Sequence, residues 1–142
     1  MVMKVLISLG MFFAAAMVRL CGQAADAATF SLGPGDVTEA IVNNSGSARL
    51  KVMLTPAKSE ELATFTTANL NKQGRIVVAG KLRAEPFIRE RMSGPAMELY
   101  VSSTEDALAT VKALLTSRLK FDQLHKWTDS SGTHYSEQPA VR

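Results

Sequence analysis

The chain has 142 residues, 46% of them hydrophobic and 20% charged, with a formal net charge of +3. That apolar content suits one packed domain and excludes a disordered or low-complexity chain, while the charge is too mild to point to nucleic acid. The single cysteine, Cys21, excludes an internal disulfide, so stability has to come from packing.

Residues 1–27 have the layout of a secretory leader. Lys4 is the positive start, residues 5–18 are the apolar core, and Ala25-Asp26-Ala27 is an A-x-A cleavage signal. The apolar run falls short of the ~20 residues a membrane span needs, and Arg19 soon after it leaves an uncleaved anchor as the alternative. Cleavage after Ala27 would deliver a thiol-free domain with no stable transmembrane span to the periplasm or the medium. The expected layout is a signal peptide at 1–27, an α+β domain at 28–119 and a polar C-terminal tail at 120–142.

After a short extended lead-in, Gly33-Pro34-Gly35 breaks the chain. Asp36 and Glu39 have capping-box spacing, but Ala40-Ile41-Val42 favours a strand and Asn43-Asn44-Ser45-Gly46 favours a turn. A hairpin is the preferred reading, because Ala48, Leu50, Val52 and Leu54 alternate with Arg49, Lys51 and Met53. Thr55 as cap and Pro56 in the first turn open a helix that carries Leu62 and Phe65 on one face and ends near Asn71-Lys72-Gln73-Gly74.

Residues 75–101 read as three short strands in a row, the centre of the fold. Ile76, Val77 and Val78 form a β-branched run, and Ala79-Gly80-Lys81 reverses it. Leu82, Ala84, Pro86 and Ile88 then alternate with Arg83, Glu85, Phe87, Arg89 and Arg91. Pro86 marks this strand as an edge or a broken strand. Met97, Leu99 and Val101 carry the third run, and Ser102-Ser103-Thr104-Glu105 opens a second helix with an apolar stripe at Leu108, Val111, Leu115 and Leu119. The fold class is therefore α+β: a mainly antiparallel sheet of four to five strands with two helices packed on one face.

Beyond residue 119 the chain turns polar. Asp129-Ser130-Ser131-Gly132 either closes a small hairpin or belongs to a loose tail that Trp127 and Tyr135 pin down, with disorder expected past Ser136. His125 and His134, the two histidines, would with Asp129 make an incomplete metal site, so no metal or other cofactor is assigned. No histidine lies between residues 28 and 119 to act as a base, and no serine has a nucleophile-elbow context, so no enzymatic activity is expected. The candidate binding residues are Arg83, Glu85, Phe87, Arg89 and Arg91, an aromatic framed by arginines. The competing reading is a charged face that keeps a sheet edge from pairing.

In order along the chain, Gly35-Asp36-Val37 with Ala40, residues 50–54, Leu62 to Asn69, Arg75 to Lys81 with Pro86, Ile88, Arg89 and Glu90, and Glu105 to Ala109 carry a pattern that resembles the periplasmic head of SecD, from the bacterial protein-export translocase. The likeness covers about residues 35–115. Ala79 stands where that family has Asp, and Arg91 where it has Pro. The resemblance implies a head-like fold that touches emerging polypeptide. The transmembrane helices and base domain of a full SecD lie outside the resemblance, so transport is not implied. Unfolded exported polypeptide or envelope proteins are the expected partners. A small anionic ligand or envelope component held by Arg83, Arg89 and Arg91 is the alternative.

Overall fold

A computed structural model describes residues 27–43, 49–116 and 118–138. The expected leader up to Asp26, Cys21 included, and the turn at 44–46 lie outside them. The fold is α+β, and its strands divide between two sheets. In chain order the elements are β1 (Ala28–Leu32), β2 (Val37–Asn43), β3 (Arg49–Leu54), α1 (Pro56–Ala68), β4 (Lys72–Val78), β5 (Lys81–Ala84), β6 (Phe87–Ile88), β7 (Ala96–Tyr100), α2 (Thr104–Leu115), β8 (His125–Asp129) and β9 (Gly132–Ser136), with a 3-10 turn at Phe121–Gln123.

The smaller sheet is built on β4. β1 pairs with it in parallel, Ala28 opposite Gly74 and Leu32 opposite Val78. On the other side of β4 lie β5, and then β6 opposite Lys72 and Gln73. The five-stranded sheet has the order β7-β3-β2-β9-β8 and is antiparallel throughout. The preferred hairpin is present as β2 and β3. Asp36 does not cap a helix; its carboxylate accepts from the Gly33 N–H at 2.8 Å and closes the turn between β1 and β2.

Both helices begin with the chemistry their sequences carry. Thr55 accepts from the Lys58 N–H with Pro56 in the first turn, and Asn69 closes the other end through its N–H to the Phe65 carbonyl. For α2 the cap is Ser103 rather than Ser102, with its Oγ accepting from the Asp106 N–H at 3.1 Å. Asp106 in turn accepts from the Ser102 N–H at 3.0 Å. Leu50, Val52, Leu62, Val78, Val111 and Leu114 are fully enclosed in one continuous core. The helices also grip the smaller sheet, the Phe65 ring lying 5.6 Å from that of Phe30.

Two expectations are corrected here. The strands of residues 75–101 do not form one run, because β7 leaves β5 and β6 to pair with β3. The segment between them is tied to α1 instead, where Met92 N–H donates to Thr66 Oγ1 at 3.0 Å and Ser59 Oγ donates to the Gly94 carbonyl at 2.8 Å. Nor is the stretch from Lys120 to Ser136 a tail outside the domain: of the two readings, the small hairpin is the one present, as β8 and β9. β9 sits inside the five-stranded sheet, pairing with β2 from Glu39 opposite Ser136 to Val42 opposite Thr133.

Tyr135 is 6% exposed and stacks on Phe121 at 5.7 Å, and Leu124 joins the core. Phe121, Leu124 and Tyr135 go inward while Trp127 covers the other face against His134, so a few well-placed apolar side chains suffice and low overall hydrophobicity misleads. Gly132 is required at the start of β9. Its φ is 141°, and a Cβ there would lie 2.3 Å from the Val42 carbonyl oxygen.

Candidate functional site

The five candidate binding residues do not share one surface. β5 carries a bulge: Ala84 pairs with Ile76 and Leu82 with Val77, leaving Arg83 as the extra residue. The bulge reverses the alternation read from the sequence. Leu82 is 54% exposed, and Arg83 turns inward to α2. Its guanidinium holds Asp106 bidentately at 2.6 and 3.0 Å and reaches Thr110 Oγ1 at 2.8 Å. The Arg83 hydrogen bond, followed by the Ser102 N–H, outweighs the cost of burial and holds the Asp106 carboxyl well below the usual carboxylate range. Arg83 is thus a clamp between the smaller sheet and α2, and its charge is committed.

The other four residues stay at the surface. Glu85 accepts from Arg75 Nε at 3.0 Å, with both side chains nearly half exposed, so the pair contributes little. Phe87 on β6 is 56% exposed while its neighbour Ile88 is buried against Gly74. Arg89 and Arg91 are exposed, with no ion pair to either among the described residues. Leu70 and Met92 are exposed at the same end of the domain. Asn71, next to Leu70, donates to the Ile88 carbonyl, and the Met92 N–H donates to Thr66 in the last turns of α1. Arg91 also borders an open cleft of about 660 Å³ whose other walls are Glu60, Ala63, Thr64, Thr67 and Ala68 of α1.

A second constellation was only partly read from the sequence, which set His134 near Asp129 but missed Glu39 and Ser131. His134 on β9 is buried, stacked on Trp127 at 4.8 Å, and held from both sides. Its Nδ1 meets Glu39 of β2, and its Nε2 lies 3.0 Å from Asp129 and 3.0 Å from Ser131 Oγ. His125 is not part of the group; it lies on β8 opposite Ser136. Among the described residues, no three His, Cys, Asp or Glu side chains are arranged to hold a metal ion. The signal that could have found the cluster is the alternation of Thr133 and Tyr135 around His134 after a strong turn, which places His134 on the face opposite the core.

Ser131, His134 and Glu39 have the outline of a nucleophile, base and orienting acid. The second carboxylate changes the chemistry. Ser131 Oγ donates to Asp129 at 2.6 Å, so its proton points away from the imidazole. Burial opposes a charge on His134, but the hydrogen bonds to Glu39 and Asp129 outweigh it and raise its pKa. The raised pKa favours the doubly protonated imidazole, the form that has no lone pair with which to take a serine proton. The cluster is a charge clamp that fastens the β8–β9 turn to β2.

Comparison with protein-family models, with curated proteins and with solved structures finds no match to this chain.

Proposed function

We propose that this is a non-catalytic exported domain that binds polypeptide, as the likeness to the SecD head implies, and that has no transport activity of its own. The observation that carries the reading is Phe87, an aromatic more than half exposed on a short strand, beside two arginines without carboxylate partners among the described residues. Such a side chain gains from covering its ring, while arginines at the rim select and orient a chain through its acidic groups. Leu70 and Met92 are further exposed apolar side chains at the same end of the domain. Arg83 and Glu85, engaged with Asp106 and Arg75, frame this surface and do not contact the partner.

The test is titration of the domain into a fluorescently labelled, unfolded exported protein. Binding that weakens about tenfold in Phe87→Ala, the loss expected when ~1.4 kcal/mol of apolar burial is removed, supports the reading. No binding, or binding indifferent to Phe87, removes it. The cleft beside Arg91 favours a second reading, a small anionic ligand or envelope component held by Arg89 and Arg91. Capture of that kind fades steeply with ionic strength, whereas apolar docking on Phe87 persists.

A further inference from the structure

Among the described residues more than one sheet edge has no partner strand, and the edge the sequence suggests is the least suited to pair. The edge made by β5 and β6 is bulged at Arg83 and interrupted by Pro86, two devices that prevent strand addition. The outer strand β8 presents Lys126, a common edge guard, and β1 offers neither a charge nor an exposed aromatic that would select an occupant. β7, the other outer strand of the five-stranded sheet, is different. It is unbulged, has no proline and no lysine, and buries Met97 and Leu99 while exposing Ala96, Glu98 and Tyr100.

The direction of its free backbone groups follows from one hydrogen bond. Leu54 N–H donates to the Pro95 carbonyl, continuing the β3–β7 register by one step. In an antiparallel ladder, bonded and non-bonded pairs alternate. Val52 with Met97 and Leu50 with Leu99 are therefore bonded pairs, and the N–H and C=O groups of Ala96, Glu98 and Tyr100 point away from β3 to the open side. The same three residues project their side chains from the sheet face opposite the core.

We propose that β7 is a rail to which an extended segment of polypeptide adds as a further strand, with a basic residue placed opposite Glu98 and an apolar residue two positions away beside Tyr100. The proposal rests on the polypeptide-binding reading and names the mode and composition of the segment. Among the described residues the one ion-pair partner of Glu98 is the half-exposed Arg49 at 3.4 Å, which also lies 6.0 Å from the centre of the Tyr100 ring, and that ring is still 71% exposed. A cation opposite the one and an apolar side chain beside the other are the favourable cross-strand pairs. A second copy of this chain is disfavoured as occupant, because a two-fold axis at Glu98 sets two carboxylates against each other.

The probes are a short peptide repeating Thr-Lys-Thr-Val and its Glu-for-Lys counterpart, titrated against the whole domain by fluorescence anisotropy. The lysine peptide is expected to bind about tenfold more tightly, and Glu98→Lys to reverse that order. N-methylation of alternate peptide residues on the pairing edge abolishes binding, and methylation of the opposite edge does not. Glu98→Pro removes one outward donor without touching the β3 ladder and lowers affinity by about tenfold or more. Where that variant fails to fold, the methylated peptides and Glu98→Lys decide.

Equal binding of the two peptides, no binding of either, or indifference to N-methylation overturns the rail. So does a wild-type dimer that Glu98→Pro converts to monomer, which would make a second copy the occupant. Unfolded protein that binds through Phe87 and ignores Glu98→Pro removes the rail but leaves the functional reading standing. Loss of all polypeptide binding removes both.

Discussion

Replacing Gly132 by alanine isolates the feature that makes the C-terminal hairpin part of the domain. Two costs arise together. The residue has φ 141°, a conformation that costs an L side chain ~1–2 kcal/mol, and the new methyl would lie 2.3 Å from the Val42 oxygen and 2.9 Å from its carbonyl carbon. Those atoms belong to the backbone of β2, which is fixed by pairing on both sides, so relief needs a shift of whole strands at ~1–3 kcal/mol. The expected loss is about 3 kcal/mol, which lowers the thermal midpoint by roughly 10 °C in a domain of this size.

Gly80→Ala is the control. It also has a positive φ, 79°, but nothing within 4 Å of the added methyl, so only the conformational cost of about 1 kcal/mol applies. Circular dichroism reports the whole domain, and the fluorescence of Trp127, the single tryptophan, reports β8 directly. Both signals should move together for Gly132→Ala, because the hairpin and the sheet melt as one unit. A Gly132→Ala midpoint equal to that of Gly80→Ala, or a tryptophan transition separate from the main one, refutes the placement of β9 inside the sheet.

Arg83→Met should cost about 2–3 kcal/mol in urea unfolding, because it strips a mostly buried Asp106 of its bidentate partner. With its pKa depressed, Asp106 contributes stability that is present above its ordinary value of 3.8 and lost as pH falls toward the folded value, so acid unfolding of Arg83→Met should begin at higher pH. His134 has the opposite sign. Its folded pKa is raised, so its contribution is complete below the unfolded value of 6.5 and is lost as pH climbs through the folded one. Stability should decline above pH 6.5 in the wild type, and that decline should vanish in His134→Gln; a decline that persists would remove the clamp. Ala79 has φ 50° in a two-residue turn, where Asn-Gly is preferred, so Ala79→Asn should raise stability by about 0.5–1 kcal/mol. A lower midpoint in that variant would show that the turn is not strained.

Much of the local structure was legible from residue order. The β2–β3 hairpin is present as the alternation of residues 48–54 predicts, and Thr55-Pro56 and Ser103 start helices because their side chains satisfy the first N–H groups whatever the surroundings. Phe87 was legible too, since a proline one residue earlier marks a broken edge. Arg83 was not. Strict alternation puts it on the same face as Phe87, and a single bulged residue in β5 sends it to the other side, where Asp106 and Thr110 engage it.

In the His134 cluster the nearness of Asp129 was legible and the contact with Glu39 was not: Glu39 and His134 are far apart in sequence, and only the pairing of β2 with β9 brings them together. From sequence alone came the α+β character, the main strand and helix segments, and an exposed aromatic among arginines, because propensity, capping and turn chemistry act over a few residues. Tertiary structure decided that there are two sheets rather than one, that the polar C-terminal stretch fills a place inside the larger sheet, and which arginines keep a free charge. Those outcomes depend on strand register and on contacts between distant segments, to which many pairings of the same local pattern are open until the core closes around one of them.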